Sequence, residues 1–65
     1  MERVELENGF MRGLAGAMSV VGSYNPTEVV LYYWDVVEDC IRNEMGRDVL
    51  ASPEFEEWRE RVRRC

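Results

Sequence analysis

The segment that decides the fold is SYNPTEVVLYYWDVVEDCIRNEMG, residues 23–46. It opens with a helix start, because Asn25 is a favoured capping residue and Pro26 suits the first helical position. The helix is predicted to run to about Met45, where Gly46 supplies a C-terminal stop. A helix of this length is expected to be the central element against which the rest of the chain packs.

The two sides of this central helix differ in composition. One side is apolar over about half of the circumference and is predicted to face the core. It consists of Val29, Val30, Tyr33, Trp34, Val36, Val37, Cys40 and Ile41. The opposite side combines two apolar groups with carboxylates and is predicted to face solvent as the partner-binding surface. We call it the acidic face, and its residues are Leu31, Tyr32, Asp35, Glu38, Asp39 and Arg42.

The segment NGFMRGLAGAMSVVG, residues 8–22, is predicted to form an amphipathic first helix with Asn8 as its cap and Gly22 as its stop. Its glycines lower the intrinsic helicity, so packing must hold the helix. Gly13 and Ala17 lie one turn apart at the edge of the apolar face, where small side chains let another backbone approach. They are the predicted packing or self-association contact. At about 100° per residue, the core-facing residues are Phe10, Leu14, Ala17, Met18 and Val21.

Residues 3–7, RVELE, alternate apolar and polar side chains. Because the chain offers no second strand to pair with, they are predicted to be a short extended arm or a frayed first turn. Glu2, Glu5 and Glu7 precede the apolar stretch, whereas a secretion signal begins with basic residues. The stretch is also shorter than the roughly 20 residues that span a bilayer, so no membrane partner is expected.

A third helix is predicted to start at Ser52, with Pro53 in its first position. Glu57 and Arg61 have the spacing of a stabilising ion pair within that helix. The apolar seam of the helix consists of Phe55, Trp58 and Val62. The expected fold is all-α, with one compact three-helix domain covering residues 1–65. Whether a short extended N-terminal arm precedes the helices stays open at this point.

The charges of the chain are thirteen acidic residues and eight arginines, with no lysine or histidine, for a net charge of −5. A negative chain repels phosphate backbones, so direct nucleic-acid binding is not expected. Four arginines near the C-terminus are interpreted as cations that complement a helix end, with DNA binding as the weaker alternative. They are Arg59, Arg61, Arg63 and Arg64.

The residue types needed for catalysis or metal binding are scarce. Without histidine or lysine there is no common base to activate a nucleophile, so an enzyme is not expected. Cys40 and Cys65 lack the spacing of a zinc site and are predicted to be free thiols. An intermolecular disulfide through Cys65 is the alternative. Asp35, Glu38 and Asp39 share a helical side, but carboxylates from one helix make a weak cation site. No cofactor or metal is therefore expected.

Two segments carry a resemblance to a known group of proteins. NGFMRGLAGAMSVVGSYNP has an aromatic-x-Arg-Gly-small opening and a closing glycine, carried by Phe10, Arg12, Gly13, Ala15 and Gly22. YWDVVEDCIR has a Trp-x-x-Val segment, carried by Trp34, Val37, Ile41 and Arg42. Over about half of the chain they resemble short accessory proteins encoded by phages and prophages, although Glu38 replaces the group's glycine and Cys40 its acidic residue. The resemblance implies a phage-type origin and a role without catalysis.

Two functions remain open at this point. The first is an inhibitor that resembles anti-CRISPR and other anti-defence proteins and binds a host protein or nucleoprotein complex in the bacterial cytoplasm. Carboxylates along the acidic face would compete with phosphates for a basic groove, while Leu31 and Tyr32 add apolar anchorage. The alternative is a self-associating structural or assembly protein, a homodimer or larger homo-oligomer. It would associate through the Gly13 and Ala17 edge and the apolar side of the central helix.

Overall fold

The computed structural model describes residues 2–64, which form four α-helices and one short 3₁₀ helix. In chain order these are α1 (Arg3–Val21), α2 (Pro26–Tyr32), α3 (Trp34–Met45), the 3₁₀ helix (Arg47–Ala51) and α4 (Pro53–Arg64). No strand occurs within residues 2–64. The predicted all-α class is confirmed, whereas the predicted number of three helices is wrong.

The additional helix arises because the predicted central helix is interrupted at Tyr33. The backbone of Tyr33 has φ −128° and ψ 37°, and this residue is both the C-cap of α2 and the N-cap of α3. Its N–H donates to the carbonyl of Val29 at 2.9 Å, and its carbonyl accepts from Val36 at 3.0 Å and Val37 at 3.2 Å. Tyr33 thus forms hydrogen bonds with backbone groups on both sides of the break. No proline or glycine marks this position in the sequence.

Residues 3–7 were predicted to be an extended arm or a frayed first turn, and the extended arm is wrong because these residues are helical. Helix α1 begins at Arg3, five residues before the predicted cap Asn8. Leu6 and Val4 alternate with charged residues, which resembles a strand, but Leu6 also lies one helical turn before Phe10. Leu6 is half-buried and packs against the core in the helical conformation.

Two ion pairs join the beginning of α1 to α4. Arg3 bonds to Glu57, and Arg61 bonds to Glu7. Both members of the ion pair predicted within α4 therefore bond to α1. The hydrogen bond from Arg61 lowers the pKa of Glu7 below its ordinary value, and the nearby charges of Arg61 and Arg3 act in the same direction.

The predicted starts and stops of the other helices are confirmed. The side chain of Asn25 accepts hydrogen bonds from two first-turn N–H groups at 3.1 and 3.3 Å. The hydroxyl of Ser52 accepts one from Phe55 at 3.2 Å. Gly22 and Gly46 follow α1 and α3 with φ of 74° and 94°, a region that favours glycine.

The core contains side chains from all four α-helices. A Cβ atom at Gly13 would lie 3.0 Å from Cα of Ile41, so α1 and α3 touch backbone to backbone at this point. The ring of Phe10 lies 5.4 Å from that of Phe55 and 5.3 Å from that of Trp58, which ties α1 to α4. The buried apolar residues are Phe10, Leu14, Ala17, Val29, Val30, Val37, Ile41, Phe55 and Trp58.

Candidate partner-binding surface

The break at Tyr33 divides the acidic face into an apolar part and a charged part. Leu31 and Tyr32 lie at the end of α2, and they are 49% and 76% exposed. The charged part occupies successive turns of α3, with Glu38 half-buried and the other three side chains exposed. It consists of Asp35, Glu38, Asp39 and Arg42.

Tyr33 joins this surface, although the periodicity predicted it to face the core. It is 43% exposed, because its non-helical backbone removes it from the pattern of both neighbouring helices. Next to it is an open cleft with a volume of about 280 Å³. The cleft is lined by Leu31, Tyr32, Tyr33, Trp34, Asp35 and Val36.

Trp34 connects this cleft to the interior of the protein. It is half-buried, and its ring lies 5.6 Å from the ring of Phe55. The guanidinium carbon of Arg59 lies 4.8 Å from the centre of the Trp34 ring, within the range of a cation–π interaction. Contacts with α4 therefore fix the position of Trp34, which is the direct chain neighbour of the exposed Tyr33 and Asp35.

The carboxylates of the surface are not equivalent. Asp39 accepts a hydrogen bond from Arg42, three residues later in the same helix. No ion pair involves Asp35 or Glu38 within residues 2–64. Among the carboxylates of this surface, those without an ion pair thus lie in the first turns of α3, and Asp35 lines the cleft together with the exposed tyrosines.

The C-terminal arginines are partly used inside the protein. Arg59 stacks on Trp34, and Arg61 bonds to Glu7. Arg63 and Arg64 are exposed at the end of α4, where cations complement the helix dipole. This distribution favours the structural interpretation of these arginines over a DNA-binding patch.

Gly13 and Ala17 lie inside the protein. Ala17 has no exposed surface, and Gly13 contacts Ile41 of α3. This edge of α1 thus packs within the chain, and an oligomer built on it would have to displace α3. Of the two roles predicted for these residues, packing or self-association, the contacts within one chain correspond to packing.

The cysteines and the acidic side chains were the other candidates for a chemical site. Cys40 is a half-buried free thiol, and Cys65 lies outside the described residues. Within residues 2–64, no group of three or more acidic or cysteine side chains is arranged to hold a metal ion. In the same range, no helix is long and apolar enough to cross a membrane.

Comparisons with known proteins identify no relative. No family model, curated protein or solved structure matches the chain. The exposed residues and charges of this surface are therefore the basis for a function.

Proposed function

We propose that this chain is a non-enzymatic inhibitor of phage type, which occupies a basic nucleic-acid groove of a bacterial host protein through the acidic face and Tyr33. The target class is a defence or nucleic-acid-handling protein inside the host cell. The observation that carries the proposal is the exposed pair Tyr32 and Tyr33 in one cleft with Asp35, with Glu38 one turn further along α3. Neither carboxylate has an ion-pair partner in residues 2–64.

The charged part of the surface supplies attraction toward a cationic groove. Glu38 and Asp39 lie three and four residues after Asp35, so both are one helical turn from it on the same side of α3. A groove that binds the regularly spaced phosphates of a nucleic acid presents arginines and lysines along its length. Repeated carboxylates on a rigid helix fit such a groove, and the net charge of −5 accelerates the encounter.

The apolar part supplies affinity after the encounter. Tyrosine is enriched among the residues that dominate binding energy, because its ring buries a large area and loses little conformational freedom. Tyr32 and Tyr33 are exposed and lie outside the core cluster, so they are free to contribute that area to a partner. Leu31 extends the same apolar edge.

The proposal is tested by immobilising the chain and measuring which proteins of a bacterial lysate it retains. The test variant combines Asp35→Arg with Glu38→Arg. The matched control combines Asp48→Arg with Glu60→Arg, which reverses one exposed aspartate and one exposed glutamate elsewhere. Both variants change the net charge by the same amount, so that their difference reports position.

We expect the wild-type chain and the control to retain the same nucleic-acid-binding proteins, and the test variant to lose them. Added duplex DNA should release these proteins from the wild-type chain, because both ligands use one groove. Equal losses in the two variants would mean that retention reflects net charge alone. Retention that DNA does not reduce would contradict competition for the groove.

A further inference from the structure

A second exposed surface of the protein carries no charge. Residues 13–27 contain no acidic or basic side chain, although charged residues make up 32% of the whole chain. The last turns of α1 and the loop that follows border an open groove of about 320 Å³. We call this surface the neutral end, and its groove is lined by Ala15, Met18, Ser19, Gly22, Ser23 and Tyr24.

Tyr24 is the most exposed large apolar residue of this surface. It is 97% exposed at the side of the groove, and Val20 in the last turn of α1 is 71% exposed. The backbone nearby is firmly held. The N–H groups of Gly22 and Ser23 donate to the carbonyl of Met18, and Asn25 caps α2. A fixed loop therefore presents the Tyr24 side chain to solvent.

The charge of the whole chain identifies the occupant that suits this surface. Two copies that each carry a net charge of −5 repel one another wherever their carboxylates approach. The neutral end is where two copies can meet without bringing carboxylates into close contact, apart from Glu28 at its edge, which accepts a hydrogen bond from Ser23. A strongly basic partner would gain little from an uncharged groove and much from the acidic face.

The position of Tyr24 also satisfies the geometry of a symmetric pair. In a dimer with a two-fold axis, the same patch contacts itself, so a projecting group and its receiving groove must lie side by side. Tyr24 projects beside a groove that is open and mostly apolar. We propose that the neutral end is a homodimer interface in which Tyr24 of each copy enters the groove of the other.

An interface of standard size would cover a substantial part of this chain. A stable dimer of standard size buries about 800 Å² on each partner, about a fifth of the 4418 Å² of surface that this chain exposes. The dimer would present two acidic faces, and it does not depend on the function proposed for them.

The test is sedimentation equilibrium of the intact chain from low to high micromolar concentration. We expect a mass twice the 7.6 kDa of one chain for the wild type and for Tyr32→Asp. We expect a single-chain mass for Tyr24→Asp, which places a carboxylate at the interface of each copy. Ser19→Arg changes the groove without changing Tyr24, and it should dissociate the dimer as well.

Circular dichroism checks that each variant keeps its helices, as the exposure of all three positions leads us to expect. A wild-type chain that is monomeric at every concentration would overturn the inference and leave the groove to another protein. A dimer that persists in Tyr24→Asp and Ser19→Arg but dissociates in Tyr32→Asp would place the interface on the acidic face, and the inference would then be wrong.

Discussion

The contact between α1 and α3 and the break between α2 and α3 use apolar residues in opposite ways. At the contact, Gly13 leaves no space beside Ile41, and the neighbouring apolar side chains are buried. At the break, Leu31, Tyr32 and Tyr33 are exposed. The contact between α1 and α3 therefore stabilises the fold, whereas the exposed side chains at the break contribute little to its stability. Substitutions in the two regions should therefore separate stability from binding.

The largest expected effect is that of Gly13→Val. The added atoms would meet the backbone of Ile41, which cannot move aside as a flexible side chain can, so α1 and α3 must separate. We expect the free energy of unfolding to fall by about 3 kcal/mol, measured by urea denaturation. An unchanged midpoint would show that the helices do not depend on this close approach.

The next largest effect has the opposite sign and uses a glycine one turn away. A Cβ atom at Gly16 would lie 3.9 Å from Sγ of Cys40, an ordinary contact distance. Gly16→Ala should therefore raise the free energy of unfolding by somewhat less than about 1 kcal/mol, the difference in helix propensity. Because both glycines lie in α1, the contrast with Gly13 isolates the effect of space. Destabilisation by Gly16→Ala would contradict the claim that the space beside each glycine decides the sign of the effect.

A smaller effect is expected at the ion pairs between α1 and α4, and it depends on pH. The hydrogen bond from Arg61 lowers the pKa of Glu7 below its ordinary value of 4.5. In acid the unfolded chain therefore binds a proton at Glu7 before the folded chain does. The stabilisation is present above pH 4.5 and is lost as the pH falls through the lowered pKa of the folded state.

The corresponding variant is Glu7→Gln, followed by thermal unfolding between neutral pH and pH 3. Its midpoint should be lower than that of the wild type at neutral pH, and the two midpoints should converge in acid. Glu5→Gln, a change at an exposed glutamate of the same helix, provides the control for the loss of one negative charge. A constant difference between Glu7→Gln and the wild type across the range would contradict the assignment.

The smallest expected effect on stability belongs to the break. Tyr32→Ser removes a ring that is 76% exposed, so the free energy of unfolding should stay within about 0.5 kcal/mol of the wild type. The same change should weaken partner binding by about 2 kcal/mol, roughly 30-fold, if Tyr32 anchors the complex. Titration calorimetry and urea denaturation measure the two quantities. A large loss of stability would remove the distinction between the regions.

The features that could be predicted from the sequence depend on local chemistry. Asn25, Ser52, Gly22 and Gly46 each perform their function through neighbouring backbone groups, so their residue types were sufficient to place helix ends. The buried positions of α1 followed from helical spacing in the same way. These features need no knowledge of what lies across the core.

The features that were missed depend on contacts between distant segments. No residue type near Tyr33 predicts the break. It occurs next to Trp34, which contacts Phe55 and Arg59 of α4. Leu6 was misassigned because a five-residue segment fits both a strand and a helix. For the candidate site, helical spacing predicted the solvent exposure of the acidic face, where all residues except the half-buried Glu38 are exposed. It missed the exposed Tyr33, because it assumed one continuous helix.

The proposed function requires that the acidic face and a nucleic acid occupy the same groove of a host protein. The direct measurement is the affinity of a retained partner for labelled duplex DNA, at increasing concentrations of this chain. Competition predicts that the apparent Kd for DNA rises in proportion to the concentration of the chain, without a limit. The variant with Asp35→Arg and Glu38→Arg should leave that Kd unchanged. A ternary complex of partner, DNA and wild-type chain would contradict the claim.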